Sequence, residues 1–360
     1  MFPSSLPARR RAPAVRLGAL FGALVLVLGA CSGSAASIAP SASAIAAASA
    51  PSAAASSIVP TASPSPAPAF PVTVTDDDGT AITLSSEPQK IVSLTPAVTE
   101  TLFAIGAGSR VVATDDASDY PAEAKPLPDV VTFGTVDVEK IVSLDPDLVI
   151  AGGAGFTSAD SIAQLRSLKV PVLVVSSATL DQIGADIELV GTAIGEAGAA
   201  KALVDTMQAD MTAVGTAAQG AAQAAGTKPR VFYDVGYIDT TGQIYGAGKG
   251  SFLAQMLDML GVDVITGDAT TYEIPLETLI ERDPQVIILG TNAFYTPTPA
   301  SIAKRTGWSA LTAVKTGDVR SVNDTEITRP GPRLATGLRN LALAMYPDLV
   351  LPSPAASTAP

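Results

Sequence analysis

Apolar positions follow two alternating spacings between about residue 70 and residue 350. Short runs in which nearly every residue is apolar are typical of buried strands, whereas apolar residues that recur every three or four positions are typical of helices. The predicted strands are residues 90–94, 111–114, 170–175, 230–235 and 319–322, and the predicted helices are residues 99–105, 161–168, 251–260, 301–311 and 332–345. This alternation predicts parallel βαβ units and therefore an α/β fold.

One unit of this pattern occurs twice. Residues 138–150 and residues 276–288 each consist of a short amphipathic helix, an Asp-Pro pair and an apolar strand. The proline cannot continue a helix and pushes the preceding aspartate out of the α region, so each helix should end there. The repeat predicts two Rossmann-like lobes of similar build, which we place at residues 70–178 and 229–350.

A long helical region, residues 179–228, separates the two predicted lobes. Its first part keeps apolar residues at helical spacing up to an interruption that contains two glycines, residues 195–198. In the second part, Leu203, Met207, Met211 and Val214 share one helical face, and alanines continue the helix to about Ala225. About 25 helical residues extend for roughly 37 Å. We therefore expect a single long backbone α-helix to join the lobes, which permits only small hinge motions.

The N-terminal segment has the layout of a secretory signal. A basic stretch, residues 9–16, precedes an apolar run at residues 17–28 that is too short to span a bilayer comfortably. The run ends in Leu28-Gly29-Ala30-Cys31, which resembles the lipobox of bacterial lipoproteins. We therefore predict a lipoprotein signal peptide at residues 1–30 and lipidation of Cys31. The alternative is an ordinary signal peptide with a chance cysteine.

Two segments have the composition of disordered chain. Residues 32–69 carry no charged side chain and consist of Ala, Ser, Pro, Gly and a few aliphatic residues. Such a segment cannot bury enough apolar surface to offset its conformational entropy. We predict that residues 31–69, including the lipidated cysteine, form a disordered tether and that residues 351–360 form a disordered tail.

Composition excludes several kinds of function. With 22 Lys and Arg residues and a net charge of −12, the chain is not expected to bind nucleic acid. It has no histidine and one cysteine, which excludes a Ser-His-Asp triad, a Cys-His dyad, a Cys/His zinc site and an intrachain disulfide. The glycine-rich segment at residues 246–251 lacks both phosphate-loop patterns, and no Gly-x-Ser-x-Gly motif is present. We therefore predict that the protein is not an enzyme.

Five short motifs stand in order along the chain. They are residues 90–100 (KIVSLTPAVTE), 119–121 (DYP), 138–141 (VEKI), 145–149 (DPDLV) and 329–333 (RPGPR). Together with the lipobox and the long helix, they resemble the solute-binding lipoproteins of ABC importers for iron siderophores and cobalamin. The resemblance covers residues 70–347 and implies the class III periplasmic-binding-protein fold. It also implies a monomer that is lipid-anchored to the outer face of the bacterial cytoplasmic membrane, with an ABC permease and its ATPase subunits as partners and no resident cofactor or metal.

The resemblance assigns docking residues at the helix starts of the repeat. In the family, one glutamate of each lobe reaches an arginine pocket on the permease, and the matching positions here are Glu139 and Glu277. The alternative is that these carboxylates only favour the positive ends of their helices, which contributes a few tenths to about 1 kcal/mol.

The ligand is expected between the lobes, against loops that follow strand ends. The resemblance suggests Tyr120 and Arg329 as ligand contacts. The alternatives are that Tyr120 is only a half-buried aromatic residue beside a proline and that Arg329 is only a solvated charge in a loop. Positions after strands of the second lobe add Phe294, Tyr295 and, with weaker support, Tyr237.

The motifs leave the ligand open between a cobalamin or other corrinoid and a ferric siderophore. Aromatic residues are only 5% of the chain, and Trp308 is its single tryptophan. This aromatic content is low for a protein whose side chains stack on a corrin. Heme bound through a tyrosine is an alternative, whereas the lack of imidazole argues against free zinc or manganese. From a different class, a non-transport structural lipoprotein of the envelope is also an alternative, which the two-lobed build disfavours.

Overall fold

The computed structural model describes residues 70–153, 155–269, 272–293 and 295–354. All of them lie in one compact unit of the chain, Ala62–Pro360. The predicted signal peptide, Cys31, the predicted tether, Phe294 and the last six residues of the predicted tail lie outside these ranges. Within the described ranges, no helix combines the length and the apolar character that a bilayer crossing needs.

The N-terminal lobe contains a six-stranded sheet in the order β6-β5-β4-β3-β7-β8. The strands are β3 (Ile91–Ser93), β4 (Val111–Asp115), β5 (Asp129–Thr132), β6 (Thr135–Val136), β7 (Leu148–Gly152) and β8 (Val172–Val175). The helices are α1 (Pro96–Ala104), α2 (Val138–Ser143) and α3 (Ala159–Ser167), with short 3₁₀ turns at Gly108–Arg110 and Ala122–Ala124. Neighbouring strands are parallel except for the pair β5–β6, and an antiparallel hairpin of β1 (Val72–Thr75) and β2 (Ala81–Leu84) precedes the sheet.

The C-terminal lobe contains a five-stranded sheet in the order β10-β9-β12-β13, with β11 paired to the start of β9. Its strands are β9 (Arg230–Ile238), β10 (Gln243–Gly246), β11 (Asp263–Val264), β12 (Val286–Thr291) and β13 (Val319–Asn323). Its helices are α6 (Phe252–Met259), α7 (Leu276–Arg282), α8 (Pro299–Ile302), α9 (Thr312–Thr316) and α10 (Leu334–Met345), with 3₁₀ turns at Trp308–Ala310 and Asp324–Glu326. Among the described strands of this lobe, β10 alone runs antiparallel to its neighbour. The predicted α/β fold of two lobes is confirmed.

Two helices, α4 (Leu180–Ile194) and α5 (Ala197–Ala225), connect the lobes. Helix α4 begins at a capping box made by Thr179 and Gln182. It ends at Gly195, which has a φ of +87°, a conformation that glycine adopts with little strain. Helix α5 has 29 residues, which is roughly 44 Å of helix. It packs against α4 and also against α6 and α10 of the C-terminal lobe. The predicted long backbone helix is confirmed.

The repeated unit also has the predicted build. Helix α2 leads into β7 and helix α7 leads into β12, with an Asp-Pro pair between helix and strand in both lobes. Asp145 and Asp283 both adopt positive φ, 51° and 41°, a conformation that ends the helix before each proline. Ile141 and Leu279 are the equivalent fully buried residues that fix the two helices to their sheets.

The helix predicted at residues 301–311 is wrong. Helix α8 covers only Pro299–Ile302, and Trp308 lies in a 3₁₀ turn instead of an α-helix. Gly307 has a φ of +82°, which no residue inside an α-helix adopts, and this turn directs the Trp308 ring into the core of the lobe. Ile302 and Leu311 are buried as well, so the apolar spacing that predicted a helix arises from a turn with three buried side chains.

Candidate functional site

Two cavities lie where loops that follow the strands of the two lobes meet. In parallel α/β sheets, ligands bind outside the carboxyl ends of the strands, because loops from several strands converge there. The first, called the N-lobe cavity, has a volume of about 480 Å³ and the second, called the C-lobe cavity, about 530 Å³. Both volumes fall in the range of small-molecule sites.

The N-lobe cavity is mostly apolar. Its walls come from the start of α1, the loops after β7 and β8, one face of α4 and residues 328–330 of the C-terminal lobe. The apolar lining residues include Pro96, Val98, Phe156, Ile183 and Ile187, and the charged ones are Asp186 and Arg329. An apolar wall with few charged groups suits a large organic ligand whose orientation is fixed by a few polar contacts.

The C-lobe cavity is more open and more polar. Its lining residues are Asp119 of the N-terminal lobe and Thr291, Asn292, Ala293, Thr296, Ser321, Val322, Asn323 and Thr325 of the C-terminal lobe. Most of these follow or end β12 and β13, so the carboxyl edge of the second sheet faces Asp119 across the cleft. The side chains offer hydroxyl and amide groups for hydrogen bonds to a polar ligand surface.

An ion pair lies between the two cavities. Arg329, which lines the N-lobe cavity, contacts Asp119, which lines the C-lobe cavity, at 2.7 Å between Nη1 and Oδ1. Arg329 Nη2 also donates to the backbone carbonyl of Ala117 at 3.1 Å. Burial opposes ionisation of Asp119, but the hydrogen bond and charge of Arg329 outweigh it and lower the pKa of Asp119. This ion pair therefore forms part of the boundary between the two cavities.

Arg329 also belongs to a buried cluster that ties the lobes together. Glu100 of α1 is only 2% exposed, and its Oε1 accepts from Arg329 at 3.0 Å and from Arg333 at 2.7 Å. Arg333 donates to Glu100 Oε2 at 2.9 Å as well, so the carboxylate is held on both oxygens. We call Glu100, Arg329 and Arg333 the inter-lobe clasp. Both arginines come from the C-terminal lobe, and the glutamate comes from the N-terminal lobe.

The structure places Tyr120 beside this clasp. Its ring is half exposed and lies 4.3 Å from the guanidinium carbon of Arg333, a cation–π contact. Among the described residues the Tyr120 hydroxyl has no hydrogen-bond partner. An accessible phenol at the rim of the cleft can contact a ligand, and the role of Tyr120 and Arg329 in binding stays a prediction.

Tyr295 is held inward by its own lobe. Its hydroxyl donates to Asp234 Oδ2 at 2.8 Å and accepts from Arg305 Nη2 at 2.6 Å, while Arg305 Nη1 lies 2.9 Å from the same Asp234 oxygen. Burial and the neighbouring charge of Asp234 raise the pKa of the Tyr295 hydroxyl. Burial also raises the pKa of Asp234, although Arg305 and Tyr295 oppose the shift. The Tyr295 hydroxyl is therefore hydrogen-bonded within its own lobe instead of facing the cleft.

Tyr237 packs against the same arginine. The guanidinium of Arg305 lies 4.1 Å from the Tyr237 ring centre and 4.5 Å from the Trp308 ring, and the two rings meet edge to face at 6.2 Å. Tyr237 therefore contributes to the interior of the C-terminal lobe, and its predicted role as a ligand contact stays untested. Phe294, the remaining predicted contact, lies outside the described residues.

Sequence reasoning missed two residues of the N-lobe cavity. Phe156 is 60% exposed and follows β7, so the rule that suggested Tyr295, an aromatic after a strand, would have found it. Asp186 is buried on the apolar face of α4 between Ile183 and Ile187, where a carboxylate breaks the helical pattern. This interruption of the apolar pattern was the sequence signal that could have identified Asp186.

Asp186 has an unusual ionisation. Ser177 donates a hydrogen bond to its Oδ2, and the carboxylate of Asp77 lies nearby. Burial raises the pKa of Asp186 to about 7; the hydrogen bond from Ser177 opposes the shift and the charge of Asp77 adds to it. At neutral pH this side chain can therefore be either a neutral donor or a charged acceptor for a group in the cavity.

Glu139 and Glu277 occupy equivalent places in the two lobes. Each lies in the first turn of its short helix, and both are exposed. Neither has an ion-pair partner in the described part of the chain. Because each helix runs back toward the amino end of the following strand, its first turn lies toward the carboxyl edge of the sheet, the edge that faces the cleft. Their docking role stays a prediction.

Comparisons with known proteins give consistent matches. The model of the family described as periplasmic binding protein matches residues 91–325. An uncharacterized ABC transporter substrate-binding lipoprotein of Bacillus subtilis (strain 168) is 34% identical over 286 residues, which cover 78% of this chain and 87% of that protein. A cobalamin-binding protein of Halobacterium salinarum is 29% identical over 288 residues, covering 77% of this chain and 75% of that one.

A solved structure shows the same architecture. The periplasmic heme-binding protein of Roseiflexus sp. RS-1, in its apo form, superposes with a TM-score of 0.63 at 26% sequence identity. The superposition covers 72% of this chain and 98% of that one.

Proposed function

Because this chain belongs to the periplasmic binding protein family, the extracytoplasmic solute-binding components of ABC importers, we propose that its cargo is a metal chelate held between the lobes, a cobalamin or other corrinoid or else a ferric siderophore. The family membership inferred from the motifs is confirmed, and with it the solute-binding function and the permease and ATPase as partners. The identity of the cargo is the proposal.

The observation that supports this cargo is the pair of adjoining cavities. A bulky chelate would fill the apolar N-lobe cavity with its less polar face and reach the hydroxyl and amide groups of the C-lobe cavity with its polar periphery. It would need the contact between Arg329 and Asp119 to open, and Arg329, still paired with Glu100, could then also donate to an anionic group of the ligand. The cobalamin-binding relative in Halobacterium salinarum supports the corrinoid before the siderophore.

Calorimetric titration of the ligand-free protein tests this proposal. The ligands are cyanocobalamin, a ferric hydroxamate and a ferric catecholate, and we expect one of them to bind at one molecule per chain. Arg329→Gln should weaken that binding roughly tenfold, since a hydrogen bond to a charged group is lost. Lys304→Gln, which changes an exposed charge of the same lobe, is the control. No binding by any of the three would overturn the proposal.

Heme is a second candidate, favoured by the position of Tyr120. Its half-exposed phenol beside Arg333 could ligate ferric iron, and the heme-binding protein of Roseiflexus sp. RS-1 shares the fold. A titration with ferric heme should then give a tyrosinate absorption spectrum that Tyr120→Phe abolishes. Tyr272→Phe, at a similarly exposed tyrosine, is the control. A spectrum unchanged in Tyr120→Phe would contradict this candidate.

We further propose that Glu139 and Glu277 dock the loaded protein onto the permease. Their matching positions and the absence of ion-pair partners among the described residues support this role. Charge reversal to arginine at both positions should abolish uptake while ligand affinity stays unchanged. The matched control reverses two exposed acids elsewhere, Glu123 and Asp348. If ligand binding is lost together with uptake, the glutamates are structural and the docking role fails.

The remaining features of the proposal concern the state of the protein. We propose a monomer that carries no resident cofactor or metal, catalyses no reaction and is anchored by lipid on Cys31 to the outer face of the cytoplasmic membrane. The lipoprotein relative in Bacillus subtilis supports the anchor. Cys31→Ala should move the protein from the membrane fraction to the soluble fraction, and retention in the membrane would contradict the anchor.

A further inference from the structure

Each proposed docking glutamate is accompanied by an exposed aliphatic side chain. Val142 follows Glu139 by three residues on α2, and Ile280 follows Glu277 by three residues on α7. Residues three apart on a helix are neighbours on its surface. Val142 is 39% exposed and Ile280 is 41% exposed, so each lobe presents a carboxylate next to an aliphatic group.

Comparison of the two copies of the repeat distinguishes apolar positions that the fold requires from apolar positions that it does not require. Val138 and Ile141 of α2 correspond to Leu276 and Leu279 of α7, and these positions face the core in both lobes. Apolar identity there is explained by burial. The same argument does not apply to Val142 and Ile280, because their side chains are substantially exposed to solvent.

The other solvent-side positions of the two helices differ in chemistry. Lys140 corresponds to Thr278, and Ser143 corresponds to Glu281, so the lobes share no side-chain type at these positions. Only the pairs Glu139/Glu277 and Val142/Ile280 match. Single exposed aliphatic residues are common on protein surfaces. Two at equivalent positions, each beside an equivalent exposed carboxylate, indicate a shared contact.

We propose that Val142 and Ile280 are apolar anchors for the permease and that each lobe docks through a carboxylate–aliphatic pair. This inference rests on the proposed docking function of the glutamates. The permease surface that fits such a pair carries a basic side chain beside an apolar patch, once in each half. The negative net charge of the chain, −12, complements a basic partner surface and steers the encounter, while the aliphatic contacts slow dissociation.

The two components of the pair differ in their response to salt. Attraction between the glutamates and basic groups weakens as ions screen it, whereas burial of the aliphatic side chains does not. Removing the aliphatic side chains should therefore reduce affinity by the same factor at low and at high ionic strength. Removing the glutamates should reduce affinity mainly at low ionic strength.

Binding of the ligand-loaded protein to its permease–ATPase complex in nanodiscs tests the proposal at about 0.05 M and about 0.5 M salt. V142S/I280S should bind roughly tenfold more weakly at both concentrations, with unchanged ligand affinity and unchanged unfolding temperature. The control L168S/L343S changes two aliphatic residues that are 51% and 42% exposed elsewhere on the lobes and should bind as the unmodified protein does.

The outcomes separate this inference from the proposed function. Unchanged binding of V142S/I280S, with weakened binding of E139R/E277R, would overturn the anchors and leave the glutamates in place. An equal loss in V142S/I280S and L168S/L343S would also overturn them, because the effect would not be specific to this surface. If the unmodified protein does not bind the complex at all, the proposed docking function itself fails.

Discussion

Glu100 of the N-terminal lobe and Asp234 of the C-terminal lobe are buried carboxylates that are paired with arginine in different ways. Glu100 of the N-terminal lobe is neutralised by Arg329 and Arg333, which both come from the C-terminal lobe. Asp234 of the C-terminal lobe is neutralised by Arg305 of its own lobe. Glu100 therefore depends on the other lobe for its charge partners, while Asp234 is paired within its own lobe.

This difference indicates where the molecule can move. Separating the lobes would expose Glu100 and two arginines to water, where they can be hydrated at moderate cost, so the clasp can open without leaving an unpaired charge in an apolar core. Motion of the lobes does not separate or hydrate the Asp234–Arg305 pair, because both partners belong to one lobe. We therefore expect ligand entry to act on the clasp and to leave the C-terminal core unchanged.

The largest expected effect follows from breaking the pair inside one lobe. Arg305→Met leaves Asp234 buried without its charge partner and removes a guanidinium that packs on Tyr237 and Trp308. The free energy of unfolding should fall by about 3–5 kcal/mol in urea titrations. Lys201→Met, which breaks an exposed pair with Asp205, is the control and should have no measurable effect. Equal stability of the two variants would contradict the comparison.

Breaking the ion pair between the lobes should lower the free energy of unfolding by a smaller amount. In Arg333→Met the Glu100 carboxylate keeps Arg329, so we expect a loss of about 1–3 kcal/mol in the free energy of unfolding. The variant should also widen the distribution of inter-lobe distances measured between spin labels on the two lobes, which Arg305→Met should not do. A larger loss of stability for Arg333→Met than for Arg305→Met would reverse the comparison.

A smaller effect concerns pH and the N-lobe cavity. Because the pKa of Asp186 is about 7 in the folded protein and 3.8 is the ordinary value, the folded state keeps a proton that the unfolded state has lost between these values. The free energy of unfolding should therefore receive from Asp186 a contribution that falls as pH rises from about 4 to about 7, by at most about 1.4 kcal/mol per pH unit.

Urea titrations of Asp186→Asn at about pH 5 and about pH 8 check this contribution. The stability of the variant relative to the unmodified protein should rise between the two pH values, since the variant has no carboxylate to ionise. Asp181→Asn, at an exposed position of the same helix, is the control and should show no such change. A pH-independent difference for Asp186→Asn would mean that the carboxyl titrates normally.

The sequence predicted those parts of the fold that depend on local pattern. Helix α5 was found because Met207, Met211 and Val214 recur at helical spacing and are all buried. The Asp-Pro pairs fixed the ends of α2 and α7, because proline restricts the backbone whatever surrounds it. The helix predicted at residues 301–311 failed because a left-handed Gly307 allowed buried side chains to follow one another in a turn.

Much of the candidate site could not be predicted for a different reason. Arg333 and Glu100 are 233 positions apart, and Arg305 and Asp234 are 71 positions apart, so no local pattern connects the partners. Spacing after a strand suggested Tyr295 as a cleft residue, but its hydroxyl is held by the Asp234–Arg305 pair of its own lobe. Side-chain pairing across the chain decides which residues remain available to a ligand.

Hydrogen exchange with and without bound cargo tests the central claim most directly, that the cargo is held between the two lobes. With cyanocobalamin, or whichever ferric siderophore binds in the titration, we predict slower exchange in residues 95–101 of the N-terminal lobe and residues 321–329 of the C-terminal lobe. The core strand β9 and helix α5 should exchange as before. Slower exchange confined to one lobe would contradict a cargo held between them.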